Sequence, residues 1–130
     1  MSHFSLIKVK IKNPNQQLLK ATVEAIAKEL GGQVTTSVRD YYGNAMNVVA
    51  GIVNNVFPRG VGVKVNERGE VEVVGDFWGV PKAEVQRFQQ LLTQYYTAMA
   101  VQQALSALGY RVEVREEKAK ERIFIRGVAL

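Results

Sequence analysis

The sequence predicts an α+β fold in two layers: a mainly antiparallel sheet with two amphipathic helices on one face, in the order β-α-β-β-β-β-α-β-β. Three observations predict it. Apolar residues alternate strictly with polar ones in several short segments, the mark of half-buried strands. Two segments instead repeat apolar residues at helical spacing, one stripe each, and one stripe suits a single covered sheet face. Short turns join most of the strands, which pairs neighbours antiparallel. The 130 residues, 47% hydrophobic and 22% charged, form one domain spanning residues 1–130 with no linker, repeat or low-complexity segment.

Ile7, Val9 and Ile11 alternate with Lys8, Lys10 and Lys12, so Phe4 to Lys12 is a strand with one apolar face and one lysine face. Asn13-Pro14-Asn15 starts a helix, with Asn as cap and Pro in the first turn. Leu19, Val23, Ile26, Ala27 and Leu30 form its stripe, and Gly31-Gly32 ends it. Val34, Thr36 and Val38 alternate in a second strand. Asp40-Tyr41-Tyr42-Gly43-Asn44 is a turn, and Met46 to Val53 a third strand. Pro58 and Gly60 punctuate the next loop. Val61, Val63 and Val65 then pair with Val71 and Val73 across a turn at Asn66 to Gly69. Pro81 begins a second helix, whose stripe runs through Val85, Phe88, Leu91, Leu92, Tyr95, Met99, Val101, Leu105 and Leu108. At 1.5 Å per residue it would be roughly 40 Å long, so a bend or break is expected near Thr93 to Thr97. Tyr110, Val112 and Val114, then Ile123 and Ile125 after a charged turn at Glu116 to Lys120, mark two final strands.

Composition removes several function classes. No apolar run is long enough to span a membrane, and the lysine-rich start is unlike a signal peptide. With no cysteine, disulfides, thiolate metal sites and cysteine nucleophiles are excluded, and a cytoplasmic location is the expectation. The net charge of +5 is lopsided. Residues 1–66 carry Lys8, Lys10, Lys12, Lys20, Lys28, Arg39, Arg59 and Lys64 against Glu24, Glu29 and Asp40, while residues 67–130 balance. Such asymmetry marks an anion-binding surface or, more plainly, a soluble face and a guarded strand edge.

Catalytic signals are thin. His3 is the one histidine, so a Ser-His-Asp arrangement or a histidine metal site would need it. No metal site and no cofactor is expected. The glycines at Gly60-Val61-Gly62 and Gly75 to Gly79 lack the spacing of a phosphate loop, and Gly60 and Gly62 read as a strand entry or a close backbone approach. Asp76, between Gly75 and Phe77-Trp78, is either a desolvated general acid or the cap of its own turn. Arg39, Tyr41, Tyr42 and Asn44 form a polar-aromatic cluster suited to recognition, or a solvated turn. Tyr95 belongs to the helical stripe and Tyr96 to its border. Gln86, Gln89, Gln90, Gln94, Gln102 and Gln103 make an uncharged helix face, solvated or packed on a partner. The lysine strand lacks interleaved aromatics, so nucleic acid binding there would be weak and sequence-independent.

Met1-Ser2-His3-Phe4-Ser5, Ile7-Lys8, Ile11-Lys12-Asn13, Leu30-Gly31, Arg39 with Tyr41 and Gly43, Asp76 with Trp78, Thr93-Gln94 with Tyr96, and Gly109-Tyr110 resemble the hypothetical chloroplast reading frame family of red-algal plastids and cyanobacteria, which has prokaryotic relatives. The likeness covers nearly the full chain. Asn47 to Gly60 is longer and more apolar than in the plastid members, and the stretch after Tyr96 lacks their extra aromatic and histidine residues. The resemblance implies a soluble protein of unknown function and a shared surface at His3, Arg39, Tyr41, Asp76, Trp78, Gln94 and Tyr96.

The expected function is a non-catalytic binding or accessory module that docks a protein partner or an anionic ligand through His3, Lys8, Lys10, Arg39, Tyr41, Asp76, Trp78, Gln94 and Tyr96. The alternatives are a small enzyme or ligand-binding protein with a pocket around Asp76, Arg39 and Tyr96, and weak nucleic acid binding through the lysine face. A homodimer is compatible with exposed strand edges.

Overall fold

Alternation in the first strand does what it predicts. In β1 (Ser5–Lys12), Leu6, Lys8, Lys10 and Lys12 are exposed, while Ile7, Val9 and Ile11 turn inward. The structure is a computed structural model describing residues 3–117 and 122–129. The remaining elements are α1 (Gln16–Leu30), β2 (Gln33–Arg39), β3 (Ala45–Val53), β4 (Val61–Val65), β5 (Glu70–Gly75), α2 (Lys82–Ala107), β6 (Tyr110–Glu117) and β7 (Arg122–Ala129). The fold is α+β, with the predicted element order. Part of the expected turn at Glu116 to Lys120 lies outside the described residues, as do Met1 and Ser2.

Five strands form one antiparallel sheet in the order β1-β5-β4-β3-β2. Consecutive strands pair from β2 to β5, and β1 closes against β5 with Ile7 opposite Val73 and Lys8 opposite Glu72. The chain therefore crosses from one edge to the other through α1. The final hairpin departs from the expected single sheet: among the described residues β6 and β7 pair with each other and not with the five-stranded sheet, and they lie against α2.

Both helices cover one sheet face. Leu19, Val23 and Ile26 of α1 and Phe88, Leu91 and Leu92 of α2 meet Ile52, Val61, Val63, Val71 and Val73, and Phe57 plugs the same core from its loop. Asn15 caps α1, its side chain accepting from the Leu18 N–H at 3.1 Å, so Pro14 precedes the cap instead of sitting in the first turn. Asn13 adopts a left-handed φ of 50° and donates its N–H to the Gly69 carbonyl at 2.7 Å. That bond ties the helix start to the β4–β5 turn.

Three expectations need correction. Helix α2 is unbroken over 26 residues, with the Thr93 hydroxyl bonded back to the Gln89 carbonyl. Its length is accommodated because it outruns the sheet: burial stops at Ala98, and the stripe members Val101 and Leu108 are exposed. Val34 is also exposed, because β2 is an edge and its register with β3 shifts between Thr35 and Ser37. That irregularity breaks the alternation, and such bulges sharpen strand curvature. The turn end of the β2–β3 hairpin meets the β3–β4 loop, where the Arg39 N–H donates to the Arg59 carbonyl at 2.9 Å, and meets the end of β5 through the Tyr41 N–H and Asp76.

Candidate functional site

The end of β5 is organised by one carboxylate. Asp76 is buried, and it accepts from the Tyr41 N–H at 2.7 Å and the Trp78 N–H at 3.2 Å. The first bond crosses to the β2–β3 turn; the second closes the carboxylate's own turn. Arg59 Nε lies 3.7 Å from Asp76 Oδ2 and donates to the Asp76 carbonyl, and Arg59 Nη2 donates to the Trp78 carbonyl. Asp76 thus stitches three chain segments together. Close approach is built in: a side chain at Gly75 would lie 2.9 Å from the Gly60 carbonyl and run into the Phe77 ring, and Gly60 itself has a φ of +95°. Gly60 is a turn position, as expected of a close backbone approach, and Gly75 is a packing position.

The turn sorts its aromatics. Phe77 points inward, its ring 6.1 Å from Phe57, which in turn lies 6.2 Å from Phe88. Trp78 points out and is 59% exposed, beside Tyr41 at 60% and Tyr42 at 67%. Tyr41 meets Tyr42 and Trp78 edge-to-face, with centroids 5.4 and 5.8 Å apart, the geometry that ring quadrupoles favour. Asp40 fixes the backbone beneath the tyrosines. Its carboxylate accepts from the Asn44 side chain and from the Asn44 and Tyr42 N–H groups, and these bonds, the Asn44 side chain foremost, hold its pKa below the usual 3.8.

Beside Trp78 a groove runs between β1 and α2. A cavity of about 540 Å³ is lined by His3, Ser5, Asp76, Trp78, Lys82 and Gln86 among others. A second, of about 390 Å³, is lined by Lys8, Lys10, Gln90, Thr93 and Gln94, and Gln89 borders both. On the sheet's open face Lys8 lies 3.6 Å from Glu70. The Asn66 side chain, and secondarily Lys8, lower the Glu70 pKa. That pairing offsets part of the lysine strand's charge.

The structure gathers some predicted residues and separates others. Tyr41, Asp76, Trp78 and His3 come to one end of the groove; Lys8, Lys10 and Gln94 line its other part. Tyr96 is not brought to Asp76. It lies 14 residues beyond Lys82, about 21 Å along the helix, and its hydroxyl accepts the Asn15 N–H at 3.1 Å. Arg39 is exposed and lines neither cavity; Arg59 holds the position beside Asp76. Sequence reading did not place Arg59 beside Asp76 or Lys82 in the groove, and it named Tyr42 in the polar-aromatic cluster without carrying it into the candidate site. Arg59 did carry a signal, since it stands between Pro58 and the positive-φ Gly60 in a loop that must turn.

Residues 26–125 match the family described as a protein of unknown function, DUF1257. The chain belongs to this family. The DUF1257 span includes Arg39, Tyr41, Asp76, Trp78, Gln94 and Tyr96, and begins after His3, Lys8 and Lys10. No curated protein and no solved structure matches the chain. No helix among the described residues is long and apolar enough to cross a membrane.

Proposed function

We propose that this chain is a non-catalytic docking module whose Tyr41, Tyr42 and Trp78 rings anchor a protein partner. The observation that carries the reading is their combination of exposure and rigidity. Three large rings stand in solvent while Asp76 and Arg59 fix the backbone beneath two of them. Trp, Tyr and Arg dominate interface energetics, and rings held before binding lose little freedom when covered. Support for a cytoplasmic, single-domain module comes from the absence of cysteine and the ordinary composition. The opening pentapeptide and the Asp76-Trp78 pair further support a place within the chloroplast reading frame group.

The test immobilises the wild-type chain and two variants, Trp78→Ala and, at the far edge of the sheet, Val34→Thr. Proteins retained from native extract are then quantified. A specific partner stays on the wild type and Val34→Thr and falls about 30-fold on Trp78→Ala, the equivalent of a hot-spot loss of about 2 kcal/mol. Retention that is indifferent to Trp78→Ala, or absent above bare resin, overturns the reading.

A further inference from the structure

We propose that the groove between β1 and α2 takes an extended acidic segment of the partner, which adds a strand to the free edge of β1. The inference rests on the docking reading and deepens it by naming the partner's chemistry. Among the described residues β1 pairs with β5 alone, so alternate backbone N–H and C=O groups of Ser5–Lys12 face outward unbonded to any strand. An edge of this kind is a template for strand addition, in which main-chain hydrogen bonds give affinity and flanking pockets give selectivity.

The opposite wall has matching length. From Lys82 to Gln94 α2 rises about 18 Å, and from Ser5 to Lys10 β1 extends about 17 Å. A segment of about six residues fits between them. The helix wall presents Gln86, Gln89, Gln90 and Gln94 to this space, and each amide both donates and accepts. These uncharged side chains tolerate a polypeptide of varied sequence.

Charge selects the occupant. Lys82 lies on the helix wall, and Lys8 and Lys10 lie along the β1 edge with side chains alternating away from the Ile7 and Val9 face; Lys10 and Lys82 have no acidic partner among the described residues, and Lys8 is 58% exposed although 3.6 Å from Glu70. The one carboxylate in the lining, Asp76, is buried and faces Arg59. An acidic strand is therefore attracted. A second copy of β1 is opposed, because edge-to-edge pairing would set the Lys8, Lys10 and Lys12 rows against each other.

The probes are fluorescent octapeptides in which Val and Thr alternate with Glu, Lys or Ser, titrated against the full chain by anisotropy. The Glu series is expected to bind at least tenfold tighter than the Ser series at low salt, weakening as salt rises. It is also expected to slow amide hydrogen exchange within residues 5–12. The double variant Lys10→Glu/Lys82→Glu, both at exposed positions, should transfer the preference to the Lys series. Equal affinity for the three series overturns the proposal, as does protection confined to residues outside β1. Protection of β1 in a concentration-dependent dimer without peptide assigns the edge to a second copy, and displacement of the Glu series by single-stranded RNA assigns it to phosphate. Partner retention that depends on Trp78 without protecting β1 sinks strand addition and leaves the docking reading standing; β1 protection with Trp78-indifferent retention does the reverse.

Discussion

Replacing Asp76 by Ala should cost the fold several kcal/mol while touching no apolar core. The magnitude follows from its partners. Two backbone N–H groups, of Tyr41 at 2.7 Å and Trp78 at 3.2 Å, donate to a buried carboxylate, and hydrogen bonds to charged groups contribute about 1.5 kcal/mol or more each. The Arg59 contact at 3.7 Å involves a side chain 21% exposed, so water screens it and it adds under about 1 kcal/mol. Together these give a loss of about 3–4 kcal/mol. With a urea m-value near 1.5 kcal/mol/M, the unfolding midpoint falls by about 2 M. Asp76→Asn keeps the shape and one acceptor oxygen and replaces the other with an NH₂ donor, so its loss should be about half as large. The assay is urea denaturation followed by tryptophan fluorescence and, independently, by circular dichroism. A loss below about 1 kcal/mol for Asp76→Ala would refute the assignment of Asp76 as a structural tie and return it to the list of chemically available groups.

Two further outcomes test the same corner of the molecule. Gly75→Ala should destabilise by about 1–3 kcal/mol through overpacking, because the new methyl meets the Phe77 ring and the Gly60 carbonyl; thermal unfolding checks it, and a neutral result would mean the turn is looser than described. The Asp40 carboxylate, held below 3.8 chiefly by the Asn44 side chain, stabilises its turn at pH values above 3.8, and that contribution disappears as pH falls through the lowered value. Asn44→Ala should move the Asp40 titration, followed by carboxyl-carbon NMR, back up toward 3.8; an unmoved titration would assign the effect to the backbone donors instead.

Most of the architecture was legible because side-chain period and turn chemistry are local properties. The alternation of Ile7, Val9 and Ile11 reports one covered face wherever the strand ends up. The Asn66 to Gly69 turn reports a hairpin because its Asn side chain accepts from Arg68 and Glu70 within the same few residues. Strand order is different in kind. Pairing β1 with β5 joins residues about 65 positions apart, and neither segment carries a mark of the other. The exposure of Val101 and Leu108 was hidden for a related reason, since a stripe continues in sequence after the surface it would cover has ended, and that of Val34 because an edge position and a register shift leave no local mark. The site was half legible. Asp76, Trp78 and Tyr41 announce themselves by residue type beside turns. Choosing between Arg39 and Arg59 as the cation near Asp76 depends on how the β2–β3 turn and the β3–β4 loop meet the end of β5, a long-range arrangement that neither arginine records.

The fate of Asp76 bears directly on where function resides. A buried carboxylate beside aromatics resembles a general acid until its acceptors are traced. Here its oxygens accept from the Tyr41 and Trp78 backbone amides and lie beside the Arg59 guanidinium. Burial of the carboxylate is coupled to order in an exposed surface, because the Tyr41 and Trp78 N–H bonds to Asp76 restrain two members of the aromatic cluster. A polar group that is internally committed while its neighbours stand in solvent is what a binding surface requires, since rigidity before contact lowers the entropy lost on contact. The adjoining lysine-lined edge has the complementary property. Its backbone groups are available, and its charges discourage copies of itself. On the proposed docking reading, rigid rings at one end and an open, cationic strand edge along the groove are two parts of one surface that a different chain would cover.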